Sequence, residues 1–377
     1  MLTNSLIPLQ ASLDASPLQI VWFLLIAVLW IGFFFLEGFD FGVSMLYPIL
    51  GKDPKERRVM INTIGPTWDG NEVWLITAGG ATFAAFPGWY ATLFSGLYLP
   101  LFLVLVGLIL RGISFEYRAK MPDDRWRNAF DACASIGSLI VSLVFGIGFA
   151  NFVKGMDVAP LTSAAFGEPN LYTGGFWALF SPFGLLGGVL FILLFCTHGS
   201  MFLALKTYGS IHDKTVKFVH TLAPVTVAVL LIFVLAANIF YGTSKNPYLG
   251  SLSTVLMWAA GLLSVVVLGL AALAQRAERN GWAFIGTGAS ILLMLAMIFV
   301  KMYGTLGFIS ADMSNPLNMV TASSSPLTLK LMTWFACFLV PVVLAYQAWS
   351  YWVFSKRLST KEMPEHEHEP NVAEVHV

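Results

Sequence analysis

What most constrains this chain is where its charges are missing. Eight stretches hold no Asp, Glu, Lys or Arg for more than 20 residues: 15–36, 73–110, 132–153, 169–205, 218–244, 246–275, 280–300 and 331–355. A helix needs about 20 apolar residues to cross a bilayer. All but 73–110 are read as holding one crossing each. The stretch 169–205 opens on a polar segment (Pro169, Asn170, Thr173, Gly174) before its apolar run. Only 11% of the 377 residues are charged and 57% are hydrophobic, whereas a soluble domain carries about 25% charge. Soluble, disordered and collagen-like folds are excluded. The zero net charge gives no handle for nucleic acid, which needs clustered Lys and Arg. The fold class is all-α, a polytopic integral membrane protein.

The stretch 73–110 is too long for one crossing. Its 38 residues as a single helix would run roughly 57 Å, and Pro87-Gly88 interrupts it, with Pro removing a helical hydrogen bond. Two helices are expected, near 70–86 and 90–110. The first is either re-entrant, giving eight spans, or a true span, giving nine. Eight spans distribute Lys and Arg 13 to 8 between the two sides, and nine distribute them 17 to 4. The positive-inside rule favours nine. They are placed near 18–44, 70–86, 90–110, 130–152, 175–200, 217–241, 252–274, 282–304 and 328–354. Residues 1–17 are expected outside the cell, 18–355 in the transmembrane domain, and 356–377 as a polar cytoplasmic tail.

Residues 1–17 contain no Lys or Arg, so they lack the basic region of a cleavable signal. The tail segment from Glu365 to Glu369 alternates with His366 and His368 and reads as solvated. Cys133, Cys196 and Cys337 lie in apolar stretches without a pairing motif and read as small buried residues. No glycine-rich phosphate loop or nucleophile elbow is present.

Carboxylates inside apolar helices are costly and mark function by default. Glu37 and Asp40 close the first span, three residues apart and on one helix face. They read either as an interfacial pair balanced by Arg57 or Arg58, or as proton acceptors near the cytoplasmic surface. The second constellation runs from Gly65 through Trp68, Asp69, Gly70, Asn71 and Glu72 to Trp74. Asp69 as N-cap with Glu72 three residues on forms a capping box for the short helix. Four carboxylates then lie near the cytoplasmic side, which suits proton uptake. The third region, with Arg111, Glu116, Arg118, Arg125, Arg127 and Asp131, reads as a cytoplasmic loop that touches lipid headgroups or a partner subunit. Haem in membrane oxidoreductases usually needs an axial His. His198, His212 and His220 sit at or beyond span ends, so haem-binding by this chain is not expected, and no metal site is read.

These stretches resemble subunit II of the cytochrome bd-type quinol oxidases. The likeness rests on Glu37-Gly-Phe-Asp40-Phe-Gly-Val, Arg57-Arg58 with Met60-Ile-Asn-Thr, and Trp68-Asp69-Gly70-Asn71-Glu72-Val-Trp74. It continues through Phe94-Ser-Gly-Leu-Tyr, Phe115-Glu-Tyr-Arg118, Arg125-Trp-Arg-Asn, Ser323-Ser-Ser-Pro-Leu-Thr-Leu and Met332-Thr-Trp. The resemblance implies a complex that oxidises quinol and reduces O2 to water, generating proton-motive force without pumping. It implies two b-type haems and one haem d in a larger partner, subunit I, and a small single-span accessory subunit. It implies two four-helix bundles plus a peripheral helix here, and a possible structural quinone. It places Asp69 on a proton path, with Glu37 and Asp40 nearby; Trp68 and Glu72 join them as candidates. Relatives commonly carry Asp at the position of Glu37 and Gln at that of Glu72. The competing reading is a secondary transporter of the inner membrane, which the broken helix and buried carboxylates would suit. No second copy of the Trp-Asp-Gly-Asn or Gly-Phe-Asp stretch relates the two halves, as an inverted-repeat transporter would require.

Overall fold

The computed structural model describes residues 13–159, 171–242, 246–310 and 316–363. The His/Glu segment of the tail lies outside these residues, as do residues 1–12. Eleven α-helices are described: α1 (Pro17–Leu50), α2 (Pro54–Ile64), α3 (Trp68–Ala85), α4 (Pro87–Gly96), α5 (Tyr98–Tyr117), α6 (Asp124–Lys154), α7 (Pro182–Lys206), α8 (Ser210–Tyr241), α9 (Ser251–Arg276), α10 (Asn280–Met302) and α11 (Pro326–Val353). Three short strands, β1 (Met156–Ala159), β2 (Leu171–Tyr172) and β3 (Phe308–Ser310), form a small sheet in the order β2-β1-β3. β1 pairs antiparallel with β2 and parallel with β3. These strands come from loops at the end of the molecule that is poor in Lys and Arg.

Helix starts follow local chemistry. Ser16 and Gln19 form a reciprocal capping box and Pro17 takes the first helical position, where its missing N–H is not needed. Asp53, Asp123, Ser181 and Ser325 cap α2, α6, α7 and α11, each side chain accepting from a first-turn backbone N–H. α1 runs past the expected 44 to Leu50, with Pro48 inside its last turn. The expected helix 90–110 is two helices, because the chain leaves helical geometry at Leu97 between α4 and α5.

α1, α3, α5 and α6 make one four-helix bundle and α7–α10 a second, joined where α7 packs on α1 and α6. α11 is peripheral, resting on α1 and α3 with only 6% of its apolar window buried. Phe33, Phe34, Phe145, Phe149, Phe191 and Phe195 meet edge-to-face at the junction of the bundles. Aromatic rings prefer such arrangements. Without a hydrophobic drive between helices in lipid, small residues allow close contact. A Cβ at Gly42 of α1 would lie 1.9 Å from the Phe195 carbonyl oxygen of α7. One at Gly107 of α5 would lie 2.8 Å from the Gly137 carbonyl oxygen of α6.

Eight helices are long and apolar enough to cross a membrane: α1 and α5 through α11. α3 is not among them, since Asp69, Asn71 and Glu72 occupy its first turns. Its 18 residues rise about 27 Å, and it runs antiparallel to α11 over that length. Tyr351 donates to Asn71 at one end, and at the other Ser324 Oγ donates to the Ala84 carbonyl at 2.6 Å. Ser324 N and Gly88 N extend that join, to Ala85 O and Ala322 O. Of the cysteines, only Cys196 is buried; Cys337 is exposed on peripheral α11 and Cys133 is half-buried.

Candidate functional site

The ends of α1, α5, α7, α9 and α11 and the starts of α3, α6, α8 and α10 share the face richest in Lys and Arg. At that end of the first bundle, four helices bring polar side chains together. α1 supplies Glu37 and Asp40, both fully buried. α3 supplies Trp68, Asn71 and Glu72, α5 supplies Arg111, and α11 supplies Gln347 and Tyr351.

Arg111 is the centre. It is fully buried, with one terminal nitrogen on Glu37 and the other 2.6 Å from Glu72 Oε1. The guanidinium therefore bridges α1 and α3 from α5. Its carbon sits 4.6 Å from the centroid of the Phe41 ring, 5.7 Å from that of Phe115 and 5.8 Å from that of Trp68. Arginine over aromatic faces gains cation–π stabilisation, and its planar fork suits two carboxylates at once. Trp68 packs on Phe115 with ring centroids 5.0 Å apart, closing the cluster from above.

A second polar string begins at Asp40. Asn71 donates to Asp40 Oδ2 at 2.7 Å, and Tyr351 donates to Asn71 Oδ1 at 2.7 Å. Trp74 donates to Gln347 Oε1 at 2.9 Å, and Gln347 reaches Asn71 Oδ1 at 3.4 Å. Glu37 Oε1 and Asp40 Oδ1 are buried without a hydrogen-bond partner among the described residues. Three carboxylates thus stand around one guanidinium.

The expected capping box is not formed. Thr67 is the N-cap residue of α3, without a side-chain cap bond. Asp69 falls in the first turn, exposed, because the helix already starts at Trp68, which puts Asp69 inside it rather than at its N-cap. Glu72 is drawn instead to Arg111, a stronger partner than a backbone N–H. Three residues expected to touch lipid or a partner are turned inward. Arg111 is inside α5 rather than in a loop. Asp131 is buried and accepts from Arg118 Nε at 2.6 Å and from Arg57 at 2.9 Å; Arg118 is only 5% exposed. These ions pair within the chain because the start of α2, the end of α5 and the first turns of α6 meet there, where an unpaired buried charge would be costly. Glu116 and Arg125 are exposed as expected, and Arg127 pairs with Asp124 at 3.2 Å.

Of the residues singled out in the sequence, the structure brings Glu37, Asp40, Glu72 and Trp68 together and leaves Asp69 exposed beside them; Arg111 as the partner of Glu37 and Glu72, and Asn71, Gln347 and Tyr351, were not read from it. Arg111 is the first charge after a 38-residue gap, which was the available signal: such a residue still lies at membrane depth.

His198 is fully buried and its ring lies parallel to Phe284, 4.7 Å away. Its Nε2 donates to the Phe35 carbonyl at 3.0 Å and its Nδ1 meets Thr287 Oγ1 at 2.6 Å. Both nitrogens are engaged, so this residue does not fit an axial haem ligand. Among the described residues no group of three or more His, Cys, Asp or Glu could hold a metal ion. A membrane-facing groove of about 730 Å³ runs between α3 and α6, lined by Gly79, Phe83, Leu101, Leu105 and Phe149.

Fold and site together define a polytopic helical membrane protein with a buried, acid-rich charge cluster at its basic end. The model of the family described as cytochrome bd terminal oxidase subunit II matches residues 18–354, and the chain belongs to that family. It is 40% identical over 348 residues to the cytochrome bd ubiquinol oxidase subunit 2 of Bacillus subtilis, covering 92% of this chain and 98% of that one. It is 36% identical over 379 residues to the cytochrome bd-I ubiquinol oxidase subunit 2 of Escherichia coli, covering 94% and 99%. In fold it is similar to a chain of the bd oxidase from Geobacillus thermodenitrificans, with a TM-score of 0.57 at 12% identity, over 89% of this chain and 95% of that one. The transporter reading is set aside by this membership.

Proposed function

We propose that this chain, as subunit II of a quinol:oxygen oxidoreductase, carries protons from the basic face toward a haem-bearing subunit I. The observation that carries the proposal is the surplus of carboxylates near Arg111: its guanidinium pairs with Glu37 and Glu72, and Asp40, three residues on from Glu37, is buried with only Asn71 as a partner among the described residues. Surplus buried negative charge is what an entering proton neutralises. Asp69 stands exposed in the first turn of α3 and is the group that collects protons from water. Glu72 lies one turn deeper, and its side chain is 21% exposed. Glu37 and Asp40 lie beyond it, each with one buried oxygen free to accept a proton. Trp68 and Phe115 shield Arg111 from water, so a proton passes along the acids rather than leaking past them. Arg111 holds Glu37 and Glu72 at fixed positions and moves no proton itself.

The further parts of the reading follow the family resemblance. The haems, two of b type and one of d type, supply the electron and oxygen chemistry in subunit I. Quinol protons leave on the outer face, so proton-motive force builds without pumping. The chain crosses the cell membrane nine times, α3 included, with the N-terminus outside and the C-terminus in the cytoplasm. The α3 face bearing Asp69, Val73, Ile76, Thr77 and Gly80 is exposed in this chain and receives subunit I. A small accessory subunit completes the complex. The apolar groove between α3 and α6 suits the tail of a structural quinone.

Two measurements test this. A reduced-minus-oxidised spectrum of the complex purified through this chain should show b- and d-type haem bands; a spectrum without them contradicts the oxidase reading. Asp69→Asn should lower oxygen consumption about tenfold or more with the haem spectrum intact. Unchanged activity would leave Asp69 as an ordinary first-turn acid.

A further inference from the structure

A second cavity, of about 410 Å³, opens at the basic face between the bundles. Its walls are Phe35, Phe39, Phe202 and Phe284, and its rim carries Lys206 and Arg357. Among the described residues no Asp or Glu lines it. It sits where the segment after α11 crosses back over α7. Leu358 N donates to Lys206 O at 2.9 Å and Tyr208 N donates to Leu358 O at 3.1 Å. Arg357 Nε donates to Leu205 O at 2.8 Å, and Lys206 Nζ donates to Lys356 O at 3.1 Å and to Phe354 O.

These bonds fix both cations at the rim without neutralising them, because every partner is a backbone carbonyl. Both terminal NH2 groups of Arg357 keep no partner among the described residues, and Lys206 keeps its third N–H. From these residues we infer that the cavity binds one anionic glycerophospholipid, with an acyl chain against the phenylalanines and the phosphate at Lys206 and Arg357. A zwitterionic lipid would bring its own ammonium beside two cations that already lack a counter-charge. Free phosphate would leave the aromatic wall uncovered. A quinone headgroup carries no charge for the pair to meet. The volume is in the range of small-molecule sites, about 300–1,000 Å³. Lys and Arg at a membrane surface attract anionic lipid through just this chemistry. The lipid would wedge between α7 and α11 and hold the peripheral helix in place.

The test is native mass spectrometry of the whole oxidase complex, delipidated in detergent and titrated with phosphatidylglycerol or phosphatidylcholine. The tightest-bound lipid should be phosphatidylglycerol, at one per complex. Arg357→Gln should weaken that binding about fivefold, and Arg357→Gln with Lys206→Gln about thirtyfold, whereas Arg357→Lys keeps it. Arg357 is exposed, and the backbone bonds of Leu358 to Lys206 and Tyr208 hold the segment when the side chain at 357 is changed. Equal retention of both lipids, unchanged retention in Arg357→Gln, displacement by millimolar inorganic phosphate, or a quinone released in place of lipid would each overturn the inference.

Discussion

Arg111 is the residue on which the first bundle turns. Removing it leaves Glu37 and Glu72 facing each other inside the protein. Arg111→Gln should therefore cost about 3–5 kcal/mol, the usual penalty for orphaning a buried charge, read as a lower melting midpoint of the complex in detergent. Arg111→Lys restores the charge but cannot bridge acids on two helices with a planar fork, so it should rescue only part of the loss. Glu37 and Asp40 were legible from their places in an apolar run. Their partner was not, because sequence fixes the depth of a charge along its own helix but not which helix stands opposite. Outside the spans, burial works to raise the Glu56 carboxyl. Lys214, the Ser210 hydroxyl at 2.6 Å and the Lys52 amide at 2.8 Å outweigh it and hold the group below the usual range. A lowered folded-state value gives stability that is present above the unfolded value, about 4.3, and is lost as pH falls through the folded one. Glu56→Gln should cost on the order of 1 kcal/mol at pH 7, since Lys214 is partly exposed. The difference from wild type in melting midpoint should shrink as pH drops below about 4.

At the scale of elements, the Pro87 break is the instructive case. The sequence pointed to a break at Pro87-Gly88, and the chain does turn there. The second interruption, at Leu97, had its own signal in Gly96 just before it and Pro100 three residues after it, a pattern that ends helices but is easily passed over inside a long apolar run. The capping box of α3 failed for a related reason: a local pattern competed with Arg111, a tertiary partner. Helix contact rests on glycines, and this gives a paired prediction. At Gly107 an added Cβ would lie 2.7 Å from Val141 Cγ2 and 2.8 Å from a backbone oxygen. Gly107→Val should then destabilise by about 1–3 kcal/mol, as overpacking does. At Gly79 nothing lies within 4 Å, so Gly79→Ala should be neutral or stabilise by up to about 1 kcal/mol through helix propensity. Equal midpoints for the two variants would show that α5 and α6 do not depend on close contact at Gly107.

For the whole molecule, the gaps between charges carried most of the architecture. They gave the class, an all-helical polytopic membrane protein. The division into two bundles and a peripheral helix came from the family resemblance, and the placement of α7 between α1 and α6 fits it. What spacing could not carry was convergence: Asn71 on α3, Tyr351 on α11 and Asp40 on α1 meet only after the chain has crossed the molecule. Their meeting, with Arg111 and its acids, is what the proposed proton route rests on. The most direct test is proton uptake by the complex in liposomes, followed with a pH-sensitive dye during a single turnover with O2. In Asp69→Asn the uptake phase should slow by about tenfold or more while the haem spectrum stays normal. Uptake at the wild-type rate in that variant would contradict the account.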